Sequence, residues 1–245
     1  MQQIFMVNTN YLKKIFLNIK MTLSCGRFNQ WPKNIFMLPG FFLALTLEDK
    51  IAFSFFFDLF YALIAVGFLS SANYTLNEIF DRKSDTHHPL KKNRTLVKNK
   101  LPLIYPFIQY FTFIVIGLYI SLSFHPIFFL TSVLFIMMAL IYNIPPIRLK
   151  EIPYLDVLTE AINNPIRLIL GWSIISPIII PPLSLLISFW FCGCFLMSMK
   201  RLAEYNYIDN KNLSSSYRSS FRHYNEINLI LFSFFCSLVA IFFLA

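Results

Sequence analysis

Apolar residues run along this chain in long blocks, and short polar stretches separate them. A helix that crosses a bilayer needs about 20 apolar residues. Seven segments are candidates. The first is short, roughly Gln30 to Leu47, and opens with Trp31. The second runs from Ile51 to about Phe80 and contains one acid, Asp58. The stretch from Leu101 to Pro146 has no Asp, Glu, Lys or Arg. It is long enough for two spans, with His125-Pro126 as the turn between them. A fifth candidate runs from about Tyr154 to Ile175 and a sixth from about Pro182 to Met199. The proline-rich stretch Ser176 to Pro182 separates these two. The seventh is Ile227 to Ala245. The pattern predicts an all-α polytopic transmembrane bundle of about seven spans, an integral membrane protein with short loops and no internal repeat.

Charge placement orients the map. With the N-terminus in the cytoplasm, the inside segments are 1–33, 81–100, 147–153 and 200–226, and they hold nearly every Lys and Arg. The outside turns near 48–50, 125–126 and 176–181 hold only Lys50, as the positive-inside rule asks. One further cation, Arg167, falls within the fifth span.

Composition agrees with this picture. Hydrophobic residues make up 57% of the chain and charged residues 13%, against about 25% charged in soluble domains. The net charge of +9 raises nucleic-acid binding, but there is no soluble domain to carry a basic face, so nucleic acid is excluded as a partner. The lipid bilayer is the expected surround. Three of the four cysteines, Cys192, Cys194 and Cys236, lie in apolar runs as small hydrophobes, and none of the four, Cys25 included, has zinc-ligand spacing. Residues 1–25, with Lys13, Lys14 and Lys20, form a cytoplasmic or interfacial segment ahead of a membrane domain spanning 26–245. No small-residue cleavage site follows a clean apolar core there. An amphipathic helix on the membrane surface and a true start at Met21 both stay open.

Candidate chemistry sits where the second span ends. In NYTLNEIFDRKSD, Asn73 to Asp85, the side chains of Asn77, Asp81 and Asp85 recur every four residues. On a helix that spacing places them on one face, a turn apart. Oxygen donors in a row suit a hard cation. Mg2+ takes one or two carboxylates and completes its shell with water and phosphate oxygens. Asn77, Asp81 and Asp85 are therefore the candidate metal-ligating and catalytic residues, with Glu78 on the flank. The loop that follows carries Lys91, Lys92 and Arg94, cations suited to phosphates that a metal does not cover. They also serve to set topology. His87 and His88 read as loop residues, because the metal prefers oxygen.

Two further clusters follow. In YNIPPIRLK, Tyr142 to Lys150, two prolines force an extended turn before Arg148 and Lys150. Beyond it Asp156, Glu160, Asn163 and Arg167 are spaced by four, three and four residues, a polar stripe on an apolar helix. Ionisable groups in a span usually face the interior or a water-filled cavity. A structural Glu160–Arg167 pair is the alternative. In MKRLAEYNYID, Met199 to Asp209, Lys200 and Glu204 are four apart, beside Arg201. A helix-end salt bridge and a phosphate clamp both fit. Tyr217, Arg218, Arg222 and Tyr224 suit a cytoplasmic cap or an interfacial anchor.

Together these clusters resemble the UbiA-type prenyltransferase family. NEIFDRKSD resembles its Asn-Asp-x-x-Asp-x-x-x-Asp motif, with Glu78 where the family usually has Asp. HPLKKNR resembles its basic follow-on, YNIPPIRLK its Tyr-Ser-x-Pro-Pro-x-Arg-x-Lys segment, and QWPKN (Gln30 to Asn34) the start of its first helix. The resemblance implies a helical bundle with a central cavity, Mg2+ held on a donor diphosphate by Asn77, Asp81 and Asp85, and phosphates touched by Arg148 and Lys150. Tyr142, Asn163, Arg167, Lys200, Arg201 and Glu204 join Lys91, Lys92 and Arg94 as candidate substrate contacts. Two features depart from the family. The second Asp-rich motif is absent, and KRLAE stands near its place, with Glu204 and Asp209 as the remaining acids. The family usually has nine spans, and this chain ends after the seventh, as a fragment, a natural truncation or a degenerate copy.

The implied activity is transfer of a prenyl group from an isoprenoid diphosphate to an acceptor. The KRLAE pattern resembles instead the branch that transfers phosphoribose from phosphoribosyl diphosphate to a polyprenyl phosphate. A non-catalytic membrane protein or truncated paralogue is the third reading. Prenyl length, acceptor and oligomeric state are not legible.

Overall fold

A computed structural model describes residues 15–47, 52–99, 101–207 and 218–244. Lys13, Lys14, Lys50, Asp209 and Tyr217, which entered the sequence reading, lie outside the described residues. Among those described, every regular element is helical. Residues 15–25 form α1. The others are α2 (Leu38–Leu45), α3 (Ser54–Asp81), α4 (Thr95–Lys98), α5 (Ile104–Ser121), α6 (Pro126–Asn143), α7 (Leu155–Ala161), α8 (Asn163–Ile175), α9 (Leu183–Tyr207) and α10 (Glu226–Leu244).

Five of these, α3, α5, α6, α9 and α10, are long and apolar enough to cross a membrane. They match the second, third, fourth, sixth and seventh expected spans. The turn between α5 and α6 falls where His125-Pro126 placed it. Pro126 needs no donor in the first helical turn, and the His125 ring accepts from the Ile127 N–H (3.4 Å). Large apolar side chains on the outer faces, among them Phe60, Phe111, Val115, Phe234 and Phe242, are more than half exposed. In a soluble protein that surface would aggregate; here lipid covers it.

The other two expected spans are each broken. The first is a 3-10 stretch, Phe28–Met37, with Pro32 inside it, followed by α2. The fifth divides into α7 and α8 at Ile162. Pro165 explains this break: it has no N–H for the Ala161 carbonyl, so the helical ladder cannot run through. Asp156 and Glu160 thus sit on one helix, and Asn163 and Arg167 on the next.

The core lies where α3, α5, α6 and α8 meet, around Leu69, Phe128, Phe135 and Leu170. Close backbone approach fixes α2 and the 3-10 stretch against α8. A Cβ on Gly171 would lie 1.9 Å from the Met37 carbonyl oxygen, and one on Gly40 would lie 2.0 Å from the Leu168 carbonyl oxygen. Backbone cannot yield as a flexible side chain can. Gly171→Ala is therefore expected to cost about 1–3 kcal/mol, the usual range for overpacking, read as a lower unfolding temperature in detergent. An unchanged unfolding temperature would contradict this contact.

Candidate functional site

The site begins where α3 ends. Asn77 and Asp81 occupy its last turns. Asp85 lies beyond the helix, in the 3-10 turn Ser84–His87. The single helical face expected for the three residues stops at Asp81, because the chain turns at Arg82 and Lys83. The turn buries the Asp85 carboxylate, which pairs with Arg94. Its Oδ1 is buried with no hydrogen-bond partner. Burial, with the Asp81 charge nearby, raises the Asp85 pKa against the opposing pull of Arg94.

The next polar loop closes over Asp81. Lys150 donates to Asp81 Oδ1 and, at 2.8 Å, to Asn143 Oδ1. Arg148 Nη2 reaches the same Asp81 oxygen at 3.3 Å. Arg148 holds a left-handed backbone (φ 34°), and its Nε also donates to Glu151 (3.2 Å). Burial lowers the Lys150 pKa to about 8, against the raising effect of Asp81. Asn77 Nδ2 completes the group by donating to Asn143 Oδ1 (2.8 Å).

Several sequence expectations change here. Glu78 does not flank the oxygen donors. It is buried against α1 and the basic loop, paired with Arg27 (3.1 Å) and accepting from the Leu96 N–H (3.0 Å). Lys92 is exposed and stands off the cavity wall. His88 folds its own loop, its Nδ1 accepting from the N–H groups of Leu90 (3.1 Å) and Lys91 (3.2 Å). Burial lowers its pKa to about 4, which keeps that nitrogen an acceptor.

A second charged group gathers around Arg201, which is 1% exposed. Its Nε donates to Asp156 Oδ2 (2.8 Å), Nη2 to Glu160 Oε2 (3.0 Å) and Nη1 to Glu204 Oε2 (3.0 Å). Tyr142 donates its hydroxyl to Glu160 (2.8 Å). Arg218 reaches Asp156 (3.3 Å), and the Tyr224 hydroxyl donates to the same carboxylate. The segment from Ser219 to Tyr224 packs as a small cap, with Phe221 and Tyr224 against Tyr154 and Leu202. A Lys200–Glu204 salt bridge, one of the two readings that fitted the spacing, does not form. Glu204 takes Lys91 (2.9 Å) together with Arg201, and Lys200 faces Glu160 (3.7 Å). Nor does Arg167 pair with Glu160. Its Nε donates to Asn34 Oδ1 (3.1 Å) and its Nη1 to the Asn163 carbonyl (3.3 Å).

Between these groups lies a cavity of about 480 Å3, within the usual range of small-molecule sites. Asn77, Asp81, Lys91, Arg94, Tyr142, Asn163, Arg167, Lys200 and Arg201 all line it. Asp85, Arg148, Lys150 and Glu204 stand behind that wall and reach it through the partners above. Among the described residues, no three carboxylate, thiol or imidazole side chains converge closely enough to enclose a metal by themselves. Asn77, Asp81 and Asp85 offer oxygen donors, and the Oδ1 of Asp85, buried without a hydrogen-bond partner, has lone pairs that suit a hard cation. Such a donor set holds Mg2+ well only when ligand phosphates supply the rest of its shell.

Comparison with known proteins adds the family. The model of the UbiA prenyltransferase family matches residues 35–245. The chain belongs to this family. Solved structures of a UbiA homolog from Archaeoglobus fulgidus share the fold. Its complexes with GPP and Mg2+ and with DMAPP and Mg2+ each superpose with a TM-score of 0.73 at 16% identity. The superpositions cover 91% and 90% of this chain and 76% of the homolog in both cases. The uncharacterized protein y4nM of Sinorhizobium fredii is 25% identical over 158 residues, 62% of this chain. The matched part is 28% of that protein's length.

In this UbiA-family chain the oxygen donors Asn77, Asp81 and Asp85 gather where α3 ends, and α9 carries a different arrangement. There the guanidinium of Arg201 neutralises the acids around it. Sequence reading missed Lys33, Asn73, Tyr74, Asn143 and Asn164, which also line the cavity. Two signals were available. Asn73 continues the four-residue spacing one turn before Asn77, and Asn143 adjoins Tyr142 in the segment already singled out.

Proposed function

We propose that this chain is a Mg2+-dependent intramembrane prenyltransferase that takes an isoprenoid diphosphate as donor. One observation carries the reading. Asp81 lines one end of the cavity with Lys91 and Arg94, and Asp85, Arg148 and Lys150 stand directly behind that wall, paired with Arg94 and Asp81. The GPP and Mg2+ bound by the Archaeoglobus homolog support it.

Asn77, Asp81 and Asp85 would hold the metal. When bound, Mg2+ supplies Lewis-acid stabilisation of the departing diphosphate charge. The chain's own residues do the rest. Lys150 and Arg148 hold the Asp81 carboxylate in place and present positive charge beside it. Arg94 does the same for Asp85. Lys91 and Arg94 reach the cavity and offer charge-assisted hydrogen bonds to phosphate oxygens. Phe36, Phe135, Met138 and Leu196 exclude water from the space beyond, which protects a carbocation-like prenyl centre from hydrolysis. Lys92 has no part in this reading.

Transfer of phosphoribose to a polyprenyl phosphate is the second reading. It is favoured by the polar lining of the cavity, in which nineteen of twenty-seven residues carry a polar or charged side chain. Sugar hydroxyls would be satisfied by this polar part of the walls, from which a prenyl tail gains nothing.

The two are separated by reconstituting the purified chain in liposomes that hold a polyprenyl phosphate and a hydroxylated aromatic acceptor, with Mg2+ and donors labelled in the transferred group. Label from geranyl diphosphate is expected in lipid-extractable product, and chelation of Mg2+ is expected to stop it. Label arriving only from phosphoribosyl diphosphate would overturn the first reading in favour of the second. No transfer from either donor would overturn both.

A further inference from the structure

Near its end α3 carries a buried acid that the cavity does not use. Glu78 is 2% exposed and follows Asn77 directly, so it stands about 100° around the helix from it. Asn73, Asn77 and Asp81 line the cavity and Glu78 does not. Its carboxylate bridges two other segments instead. Oε2 accepts from Arg27 Nη2 (3.1 Å), just past the end of α1. Oε1 accepts from the Leu96 N–H (3.0 Å), in the first turn of α4, and from the Cys25 thiol (3.9 Å).

The bond to Leu96 differs from those beside it. The N–H groups of His88, Lys92, Arg94 and Val97 bond within the segment from Asp85 to Asn99, whereas that of Leu96 crosses to α3. The first turn of a helix leaves N–H groups without a partner in the helix, and the N-cap side chain commonly accepts from one of them. The N-cap of α4 is Arg94, which carries no acceptor on its side chain and makes no cap bond. Its guanidinium pairs with Asp85 and lines the cavity. Glu78 thus supplies from α3 the cap that Arg94 cannot, two residues along from Arg94 itself. The seat is apolar and closed: Cys25, Ile79, Leu96 and Leu101 form one buried cluster. Beside it the Ser24 and Thr95 hydroxyls share a hydrogen bond (2.6 Å). A charge-assisted bond kept from water is among the stronger ones in a protein.

We infer that Glu78 is a positioning residue: by capping α4 from α3 it sets the end of the basic loop, and so places Arg94, and with it Lys91, at the aspartate end of the cavity. In this role it holds no metal, since Arg27 and Leu96 take its two oxygens. The inference rests on the reading that the donor diphosphate occupies that end. With α3 fixed by its packing against α5 and α6, the reach of the side chain at position 78 matters more than its charge. Glutamine keeps the reach and an acceptor oxygen for Leu96. Aspartate keeps the charge and is one methylene too short. A metal ligand, or any role carried by charge, gives the opposite order, with aspartate tolerated and glutamine not.

The purified full chain in detergent tests this through Glu78→Asp and Glu78→Gln. Amide hydrogen exchange at Leu96 is expected to quicken at least about tenfold in Glu78→Asp and to stay within about threefold of the parent in Glu78→Gln. Exchange in α6 is expected to be unmoved in both. Affinity for inorganic pyrophosphate at saturating Mg2+ is expected to fall about tenfold in Glu78→Asp and at most about threefold in Glu78→Gln. With geranyl diphosphate, Glu78→Asp is expected to raise KM by a similar factor with little change in kcat, whereas a mere loss of folded chain would lower kcat and leave KM alone. The parent chain supplies a measurement that no folding defect can obscure. Coupling is reciprocal, so saturating Mg2+ pyrophosphate is expected to slow exchange at Leu96 by about tenfold. Exchange there unmoved by bound pyrophosphate would overturn the inference. So would a Glu78→Gln chain that binds pyrophosphate more weakly than Glu78→Asp, which would make Glu78 a charge or metal contact. Faster exchange at Leu96 in Glu78→Asp with pyrophosphate affinity and KM unchanged would reduce the bond to a structural one and overturn it too. If pyrophosphate fails to bind the parent while Leu96 exchange follows the expected order in the variants, the donor reading falls and the anchor stands.

Discussion

Asp81→Asn is expected to lower Mg2+-dependent transfer by about a thousandfold, the equivalent of about 4 kcal/mol of lost charge stabilisation. The same change also removes the counter-ion of a buried cation. The Lys150 side chain is only 2% exposed, and Asp81 is its ion-pair partner. Leaving one half of a buried pair alone costs about 3–5 kcal/mol, so the single variant confuses lost function with lost fold. The pair of variants Asp81→Asn and Asp81→Asn/Lys150→Met separates the two. Exchanging both partners for neutral groups of similar size removes the orphaned charge. The double variant is therefore expected to regain most of the unfolding temperature and none of the activity. Activity returning with stability would mean that Asp81 serves only to hold Lys150. Full turnover in Asp81→Asn would remove it from the site altogether.

The aspartate end of the cavity was legible because its parts lie inside short motifs. Asn77 and Asp81 are a turn apart on one helix, and Arg148 and Lys150 share one loop, so local spacing nearly specified the group. Asp85 was legible as a member but not in its place, since a 3-10 turn replaces the helix that spacing alone would continue. The long helices were equally plain, because bilayer thickness demands unbroken apolar runs. Where prolines interrupt the run, at Pro32 and Pro165, hydropathy still reads as a span while the backbone divides. Partner choice was the least legible feature. Glu78 and Glu204 stand in suggestive local patterns, yet Glu78 is claimed by Arg27 and Glu204 by Lys91, residues 51 and 113 positions away. Such pairings follow from how helices pack, which local spacing does not encode. That Arg167 does not pair with Glu160 was hidden for the same reason: Glu160 lies two turns earlier in sequence, but it faces Arg201 and Lys200 across the break at Ile162.

Arg201→Gln is expected to destabilise the chain more than removal of any one of the acids around it. A single guanidinium supplies hydrogen bonds to Asp156, Glu160 and Glu204 at 2.8, 3.0 and 3.0 Å and a fourth to the Tyr142 hydroxyl at 3.3 Å. Its loss takes charge-assisted hydrogen bonds from three acids at once and leaves Asp156 to Arg218, Glu160 to Lys200 and Glu204 to Lys91, at a cost of about 3–5 kcal/mol. For a chain of this length that lowers the unfolding temperature by roughly 10 °C. Glu204→Gln should cost less, under about 2 kcal/mol, because Arg201 keeps Asp156 and Glu160 and the Glu204 side chain is 13% exposed. Arg201→Lys should fall between the two, since an ammonium keeps the charge but cannot present the planar fork to three acids at once. Thermal unfolding of the three variants in detergent gives the order directly. If Glu204→Gln proved the most damaging, Glu204 and not Arg201 would be the hub, and the KRLAE segment would serve Lys91 and the basic loop before it served α7. With Arg201 as the hub, the absence of a second aspartate-rich motif has a physical reason. The α9 wall holds α7 and the Ser219–Tyr224 cap through one buried cation, and its acids are engaged in holding that cation in place.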